Sequence, residues 1–352
     1  MKRALASLAT LAVLGACTAH SDSSTAPDET TPVTITLLTH DSFDVSKSLL
    51  RDFETRTGIT VKVVAVGDAG QLANRLILAS GNPEGDVAFG IDGDHLPDLF
   101  AADVFTPYAA AGFGDVAAAY RGLDPQHRVT PVDHGAVCVN TDLAAYTDLP
   151  APKTLADLAD LRYRDQLVVE NPATSSPGLA FLLATVAAYG DPGYLDYWRR
   201  LRDNGVTVVD GWEQAYFGLF SGAGGGDGTH PLVVSYATSP VAEVVFADPP
   251  VPRAPTGVLS DTCYDQVEVA GVLRGAAQTA AAQRLVDFLV SRPFQEDIPL
   301  RMFVYPVSAT ATLPPVFTAN AAVVTHPWSL PTDEVGASRA DWVTRWADVM
   351  GQ

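Results

Sequence analysis

The chain of 352 residues has little positive charge. Its 22 lysine and arginine residues stand against 41 aspartate and glutamate residues, which gives a formal net charge of −19. Proteins that bind nucleic acid need a basic surface for the phosphates, so the composition argues against a nucleic-acid partner. The acidic balance is compatible with a cationic ligand, but a solvated acidic surface has the same composition, and charge alone therefore selects no ligand.

Common enzyme and metal motifs are absent. The sequence contains no G-x-S-x-G, H-E-x-x-H, G-x-x-x-x-G-K-[ST] or C-x-x-C, and these are the spacings that familiar nucleophile, zinc, phosphate and redox sites need. The seven histidines show no spacing of three or four residues that could place two zinc ligands on one helix face. We therefore predict no catalytic residues, no metal site and no cofactor.

Long apolar segments are also lacking, except near the start. Lys2 and Arg3 precede an apolar run over residues 4–14, which is about half the length of a membrane span. Together with the following Leu-Gly-Ala-Cys17, this order is typical of an export signal, and the tetrad resembles the bacterial lipoprotein signal. We expect a signal peptide over residues 1–16, a lipidated Cys17 and an exported protein anchored to the outer face of the cytoplasmic membrane. A plain secretory signal that ends near a cysteine is the alternative.

Residues 17–32 are rich in serine, threonine, proline and acids and hold almost nothing to bury. Such a composition predicts a disordered tether. Removal of the signal peptide leaves 352 − 16 = 336 residues, which is too long for one small core and fits two lobes.

Only three cysteines are present. If Cys17 carries lipid, Cys138 and Cys263 remain as an even pair in an oxidising compartment, where a disulfide is expected. Two buried free thiols, or one catalytic nucleophile, are the alternatives.

The first third of the chain alternates between strand and helix patterns. Apolar and β-branched runs predict strands over residues 33–39, 59–66 and 86–91, and apolar spacing predicts helices over 45–57 and 69–80. This order predicts a sheet of parallel strands with helices on its faces. Ligands of such sheets lie beyond the carboxyl ends of the strands, so we expect the loops 40–43, 67–69 and 92–95 to gather near a site.

A second α/β unit follows a strand predicted over residues 135–140. The same reasoning predicts further strands over residues 167–170, 206–209, 232–236 and 264–273, and helices over 177–189, 194–203, 212–220, 240–246 and 276–290. Two such units suggest two lobes with a cleft between them.

Two helix starts have an unusual design. Residues 174–178 (TSSPG) and 238–240 (TSP) each place serine, threonine and proline at the first turn of a predicted helix. Free backbone N–H groups and hydroxyls in such places can hold phosphate, hydroxyl or carboxylate oxygens. Simple helix capping is the alternative for each segment, but two copies favour a role in ligand binding.

Aromatic and acidic residues complete the candidate site. Trp212 and Tyr216 lie four apart and therefore share a helix face, and Tyr236 precedes the second of these helix starts. Aromatic walls can stack on a flat heterocycle and attract a cation, although packing in the core is the alternative for these rings. Asp68, in a loop after a strand, could pair with a positive or amino group, or could cap the helix that follows it.

Six runs of residues carry a resemblance to the periplasmic thiamine-binding proteins of ABC transporters. They occur in the same order and at similar separations, and the likeness covers about residues 33–350: THDSF (39–43), ATSSPGL (173–179), GWEQAY (211–216), LVVSYATSP (232–240), QVEVA (266–270) and VYPV (304–307).

The resemblance implies a type II periplasmic-binding-protein fold, in which two α/β lobes joined by crossing strands close on a ligand. It implies thiamine, or its phosphate esters, as the ligand, permease subunits in the membrane as the partner, and a monomer. The expected division is residues 33–137 plus about 264–310 for lobe I, 138–263 for lobe II and 311–352 as a segment that packs on the lobes.

The resemblance also implies roles for residues. It assigns ligand contacts to Asp68, to the serines Ser175 and Ser176, to the aromatic Trp212, and to Tyr236, Thr238 and Ser239. Tyr216 adds to the aromatic wall. His40 and Phe303 stand where enterobacterial members carry a tyrosine and a tryptophan, and we place both in the site. Cys138 and Cys263 fall in the segments that would cross between the lobes, so their disulfide would join neighbouring hinge strands.

Two other functions stay open from the sequence. A receptor of this architecture for ferric ion, an oxyanion or a polyamine is one; ferric sites of this type need paired tyrosines, and here Tyr236 is followed by alanine. The other is a thiamine-cleaving enzyme of similar fold, in which Cys138 or Cys263 would be a reactive thiol.

Overall fold

The computed structural model describes residues 33–224 and 227–352. The predicted signal peptide, the tether and the lipidated Cys17 lie outside these residues. The strands of the described part are β1 (Val33–Thr39), β2 (Ile59–Ala65), β3 (Val87–Asp92), β4 (Phe105–Thr106), β5 (Thr130–Asp142), β6 (Leu167–Glu170), β7 (Thr207–Val209), β8 (Leu232–Tyr236), β9 (Thr256–Leu273) and β10 (Tyr305–Pro306).

The α-helices of the same part surround these strands. They are α1 (Lys47–Thr57), α2 (Ala69–Leu78), α3 (Leu96–Ala101), α4 (Leu155–Leu158), α5 (Ser176–Tyr189), α6 (Gly193–Asp203), α7 (Pro240–Val245), α8 (Thr279–Leu289), α9 (Arg292–Asp297), α10 (Pro315–Asn320) and α11 (Thr332–Met350). Single turns of 3₁₀-helix lie at Gly93–His95, Phe113–Asp115, Leu143–Tyr146, Leu161–Tyr163 and Ile298–Leu300. Among the described residues, no helix combines the length and the apolar character that a bilayer crossing requires.

The strands form one mixed sheet with two halves. Its order is β2-β1-β3-β9-β5-β8-β6-β7, with β4 on β9 and β10 on β5. The predicted parallel pairing is confirmed, because β1 runs parallel to both β2 and β3. We call the half with β1 to β3 lobe I and the half with β6 to β8 lobe II. The antiparallel strands β5 and β9 run through both lobes, so the expected crossing strands are present.

Both crossing strands are longer than their sequence patterns predict. The pattern predicts six and ten residues where β5 has 13 and β9 has 18. Register shifts at Pro131/Asp133 and at Val137/Val139 interrupt the alternation of inward and outward side chains. A prediction that relies on strict alternation therefore underestimates the length of both strands. The second shift lies where we predict the lobe boundary.

A disulfide joins the crossing strands at that second shift. Cys138 and Cys263 are both fully buried, and their Sγ atoms lie 2.06 Å apart. The predicted disulfide is thus confirmed, and neither sulfur is a free thiol. It closes a loop of 125 residues that contains most of lobe II.

Each lobe has a hydrophobic core, and the last helix contacts both. In lobe I, helices such as α1, α2 and α8 cover the two faces of the sheet. In lobe II, α5 and α6 pack on the sheet together with Trp342 and Trp346 of α11. The same helix forms an ion pair between Arg339 and Asp98 of α3 in lobe I. The C-terminal segment therefore packs across both lobes.

Candidate functional site

A cavity of about 330 Å³ lies between the lobes. Lobe I contributes loops that follow β1 and β2, and lobe II contributes the first turns of α5 and α7 with the segment between β7 and β8. The lining residues are His40, Asp41, Ser42, Asp68, Ala69, Gln71, Ser176, Pro177, Asp210, Gly211, Trp212, Glu213, Gln214, Tyr216, Phe217, Tyr236, Ser239, Ala242, Phe246, Glu268, Met302, Phe303 and Val304. Two of the three predicted loops thus reach the cavity, whereas residues 92–95 do not line it.

The aromatic wall is a supported indole ring. The Trp212 ring stacks on Tyr216, with centroids 5.0 Å apart and an interplanar angle of 21°. Tyr216 is 1% exposed, and its hydroxyl donates to Glu243 over 2.9 Å. Trp212 Nε1 donates to Ser235 Oγ over 2.8 Å. The indole is therefore held at its edge and on one face, while the residue remains on the cavity wall.

The segment that carries this wall is wound differently from the prediction. Residues 212–220 were expected to form an α-helix, but Gln214–Leu219 form a π-helix. A π-helix has hydrogen bonds between residues five apart, and a period of 3.6 in the sequence does not reveal this winding. Trp212 itself precedes the π-helix, and its spacing of four residues from Tyr216 places both rings on one side of the segment, as predicted.

Asp68 accepts backbone N–H groups from three separate segments. Its Oδ1 accepts from Ala69 N at 2.6 Å and from Ser176 N at 3.3 Å, and its Oδ2 accepts from Trp212 N at 2.9 Å. Burial raises the pKa of Asp68 above its ordinary value, although the N–H groups of Trp212 and Ala69 oppose the rise. Asp68 is thus the cap of α2 and at the same time a bridge from lobe I to lobe II.

His40 and Glu268 form a polar part of the cavity wall, and Asp133 pairs in register with Glu268. His40 Nε2 lies 3.4 Å from Glu268 Oε2, and His40 Nδ1 accepts from Ser42 N at 3.1 Å. Burial alone would lower the pKa of His40, but Glu268 raises it above its ordinary value. Burial and the charge of Glu268 raise the pKa of Asp133 well above its ordinary value.

Most of the predicted site residues meet at this cavity. His40, Asp68, Ser176, Trp212, Tyr216, Tyr236, Ser239 and Phe303 all line it. Ser175 and Thr238 do not; they are 0% and 1% exposed, and their hydroxyl oxygens have no hydrogen-bond partner among the described residues. The cavity thus gathers residues from positions 40 to 303, and the ligand contacts assigned to them remain a prediction.

Most backbone N–H groups at the two helix starts, which were expected to be free, have partners within the protein. Ser176 N donates to Asp68, and Ser175 N donates to the carbonyl of Asn171 over 2.9 Å. At the second start, Ser239 N and Val241 N donate to backbone carbonyls. These donors bond to groups of the protein, as buried backbone groups generally require. The partner of Ser176 N is distant in the sequence, and the other partners are nearby carbonyls, so the serine, threonine and proline pattern does not reveal either kind of partner.

Several residues on the cavity wall or bonded to it were not among the predicted site residues: Glu268 and Phe246 line the cavity, whereas Gln266 and Ser235 support it. Gln266 and Glu268 lie two apart in a run of valines, and this alternation could have placed both polar side chains on one face of a buried strand. Gln266 Nε2 donates to Ser176 Oγ over 3.0 Å. Ser235 and Phe246 carried no comparable signal, because a single serine or phenylalanine in an apolar run is ordinary core composition.

Acidic side chains outnumber basic ones in the cavity, where His40 is paired with Glu268. Five carboxylates line it, and no lysine or arginine does so among the described residues. No group of three or more His, Cys, Asp or Glu side chains suited to a metal ion was found in residues 33–224 and 227–352. An acidic cavity with a stacked indole can attract a flat organic cation.

Comparisons with known proteins agree with this geometry. The family model of bacterial extracellular solute-binding proteins matches residues 86–328. The thiamine-binding periplasmic protein of Escherichia coli (strain K12) is 32% identical over 92% of this chain and 94% of its own. A solved periplasmic thiamin binding protein superposes with a TM-score of 0.78 at 28% identity, over 91% of this chain and 96% of its own. A ferric binding protein from Campylobacter jejuni, at 15% identity and a TM-score of 0.72 over 90% of this chain and 99% of its own, shares the fold.

Proposed function

Because this chain belongs to the family of bacterial extracellular solute-binding proteins, we propose that it captures thiamine and delivers it to the permease of an ABC importer. Its curated relatives at 31% and 32% identity are named thiamine-binding periplasmic proteins. In this proposal the protein works outside the cytoplasm, like its relatives that are named periplasmic, and as a monomer. Lipid on Cys17 would keep it near the membrane permease that receives the vitamin.

The observation that carries this function is the supported Trp212 ring on the wall of an acidic cavity. Thiamine joins a cationic thiazolium to a flat aminopyrimidine. The indole face suits either ring, and carboxylates such as Glu268 suit the positive charge. A cavity of about 330 Å³ lies in the range of pockets that enclose small organic ligands.

The alternatives have less support from the same residues. A thiamine-cleaving enzyme would need a thiolate nucleophile, whereas Cys138 and Cys263 are joined in the disulfide, so we propose binding without cleavage. Ferric ion would need paired tyrosines, but Tyr236 is followed by alanine and the Tyr216 hydroxyl is taken by Glu243.

Titration calorimetry of the purified protein with thiamine tests the proposal. We expect binding by the wild type and a loss of about 10- to 100-fold in affinity for Trp212→Ala, which corresponds to ~1.4–2.8 kcal/mol. This loss combines the stacking area of an aromatic side chain with its attraction for a cation.

Trp328→Ala is the matched control, because Trp328 is a half-buried tryptophan outside the cavity. We expect this variant to bind thiamine like the wild type. No heat of binding with the wild type would sink the proposal, and equal losses in both variants would remove the role given to Trp212. Thermal unfolding of each variant without ligand checks that both are folded.

A further inference from the structure

We propose that Phe246 and Phe303 form an aromatic latch between the lobes at the mouth of the cavity, which slows the release of a bound ligand. The inference deepens the proposed function, and its kinetic test rests on that function because the test uses thiamine. It follows from the positions of the two rings, from their exposure and from the backbone that holds one of them.

The two rings come from different lobes and are in contact. Phe246 directly follows α7, which comes after β8 of lobe II. Phe303 directly precedes Val304, which packs in the core of lobe I. The ring centroids lie 5.5 Å apart at an interplanar angle of 71°. Aromatic rings attract each other in such an edge-to-face arrangement, so the contact stabilises the state in which the lobes are together.

Phe246 lies where the cavity opens to solvent. Its side chain lines the cavity, yet the residue is 72% exposed. A single exposed phenylalanine needs no function by itself, but this one also contacts the opposite lobe across the cavity. A ligand that leaves on this side therefore has to pass the ring pair.

The backbone holds Phe303 in a fixed position on lobe I. Its φ angle is +55°, in the left-handed region that residues other than glycine seldom adopt. Such a conformation persists where the surrounding structure holds it, and here both neighbours in the chain, Met302 and Val304, pack against the core of lobe I. Lobe I thus presents a fixed ring, against which Phe246 of lobe II packs.

The latch is one of two kinds of contact between the lobes beside the cavity. Asp68 of lobe I accepts hydrogen bonds from Ser176 N and Trp212 N of lobe II, whereas the ring pair is uncharged. The hydrogen bonds remain when a ring is removed. We therefore expect loss of the latch to speed the release of the ligand without abolishing closure.

Stopped-flow measurement of thiamine dissociation tests the latch. We expect Phe246→Ala to raise the dissociation rate constant about 3- to 10-fold, a factor that matches the attraction within one aromatic pair. The association rate constant should not fall, because the aromatic pair forms only when the lobes are together. Phe246→Tyr keeps an aromatic ring and should release thiamine within about twofold of the wild-type rate.

Leu161→Ala is the matched control. Leu161 is a large apolar residue of lobe II that is 71% exposed, and it does not line the cavity. Its truncation removes a similarly exposed apolar side chain, so we expect the wild-type dissociation rate constant.

A double-mutant cycle shows whether the two rings act through each other. Phe303 also lines the cavity, so Phe303→Ala alone removes both the latch and a part of the wall. If the rings act as a pair, Phe246→Ala raises the dissociation rate constant less than about twofold once Phe303 is absent. An equal factor in both backgrounds overturns the latch, and so does a wild-type rate in Phe246→Ala.

Fluorine NMR of the free protein labelled with 4-fluorophenylalanine tests the contact without a ligand. The Phe246 resonance is identified by its absence in Phe246→Leu. Phe303→Ala removes the neighbouring ring and should shift this resonance, whereas Leu161→Ala should not. An unshifted resonance overturns the latch whatever the ligand is. Failure of the wild type to bind thiamine, together with a shifted resonance, removes the proposed function and leaves the latch.

Discussion

Single residues in this protein serve structure and site together. The sequence offered capping of α2 or contact with the ligand as alternatives for Asp68, yet the structure shows the cap and, in addition, hydrogen bonds to two segments of the other lobe. A carboxylate has room for several donors, so one function does not exclude the other. Local sequence reveals only the partner next in the chain.

Glu170 is the residue whose charge is least well accommodated. It is 0% exposed, and neither of its carboxylate oxygens has a hydrogen-bond partner among the described residues. Burial, together with the negative charge of Asp68, raises the pKa of Glu170 well above its ordinary value of 4.5. The folded chain therefore holds a proton here that the unfolded chain releases as the pH rises.

We predict that Glu170→Gln stabilises the protein at pH 8 but not at pH 4. A raised pKa in the fold gives stability that is present below the ordinary value and is lost as the pH rises toward the value in the fold. Glutamine removes that loss, and we expect a gain of about 1–3 kcal/mol in the free energy of unfolding, comparable to the burial of an unpaired polar group. Denaturant titrations at pH 4, 6 and 8 measure it.

The exposed Glu334 provides the control for this prediction. The free energy of unfolding of Glu334→Gln should differ from that of the wild type by the same amount at all three pH values. A gain for Glu170→Gln that is the same at all three pH values would contradict the account. His134, whose pKa burial lowers to about 4, titrates alike in the wild type and in both variants and cancels in the comparison.

At the scale of elements, an irregularity in the crossing strands β5 and β9 positions the disulfide between them. The register shift at Val137/Val139 leaves Cys138 opposite the irregular stretch of β9 that contains Cys263, and the disulfide joins the two strands there. Just beside it, Ser235 on β8 pairs in register with Cys138 and accepts the Trp212 indole N–H. The shift thus links the hinge region to the aromatic wall.

We predict that Cys138→Ala/Cys263→Ala lowers the stability of the folded protein. A cross-link over a loop of this length removes conformational freedom from the unfolded chain, and loss of a native disulfide typically costs about 2–5 kcal/mol. Thermal unfolding with and without a reducing agent measures the effect.

Reduction should lower the midpoint of the wild type toward that of the double variant and leave the double variant unchanged. Thiamine binding by the double variant at low temperature should persist, because neither sulfur lines the cavity. Equal midpoints for the oxidised wild type and the double variant would show that the bond adds nothing to stability.

On the scale of the whole molecule, the two lobes meet directly beside the cavity. Gln71 N donates to the carbonyl of Thr174 over 3.0 Å, and the Asp68 bonds lie next to this contact. Gly70 lies at the closest approach, where an added Cβ would be 2.7 Å from the carbonyl carbon and oxygen of Thr174. Closure of the lobes thus requires a residue without a side chain at this position.

We predict that Gly70→Ala keeps the lobes apart. The methyl group would overlap the backbone of Thr174 only when the lobes are closed, so we expect thiamine affinity to fall about tenfold or more, equivalent to at least ~1.4 kcal/mol. Small-angle X-ray scattering with saturating thiamine should give a larger radius of gyration for the variant than for the wild type.

Gly114→Ala is the matched control, because a Cβ at Gly114 would have no atom within 4 Å. This variant should bind and close like the wild type. Wild-type affinity and compaction in Gly70→Ala would contradict the proposed contact.

The sequence alone determined the alternation of strands and helices, the parallel pairing in lobe I, the cysteine pair and the position of Trp212 above Tyr216. These features depend on residues close in the chain, or on residue types with few possible uses, so periodicity and composition are enough to predict them. Only the tertiary structure decided that Asp68 accepts the N–H groups of Ser176 and Trp212, and that Glu268 lies beside both His40 and Asp133. Those partners come from segments 100 or more residues apart, and the crossing of β5 and β9 between the lobes, which no local pattern encodes, brings them together.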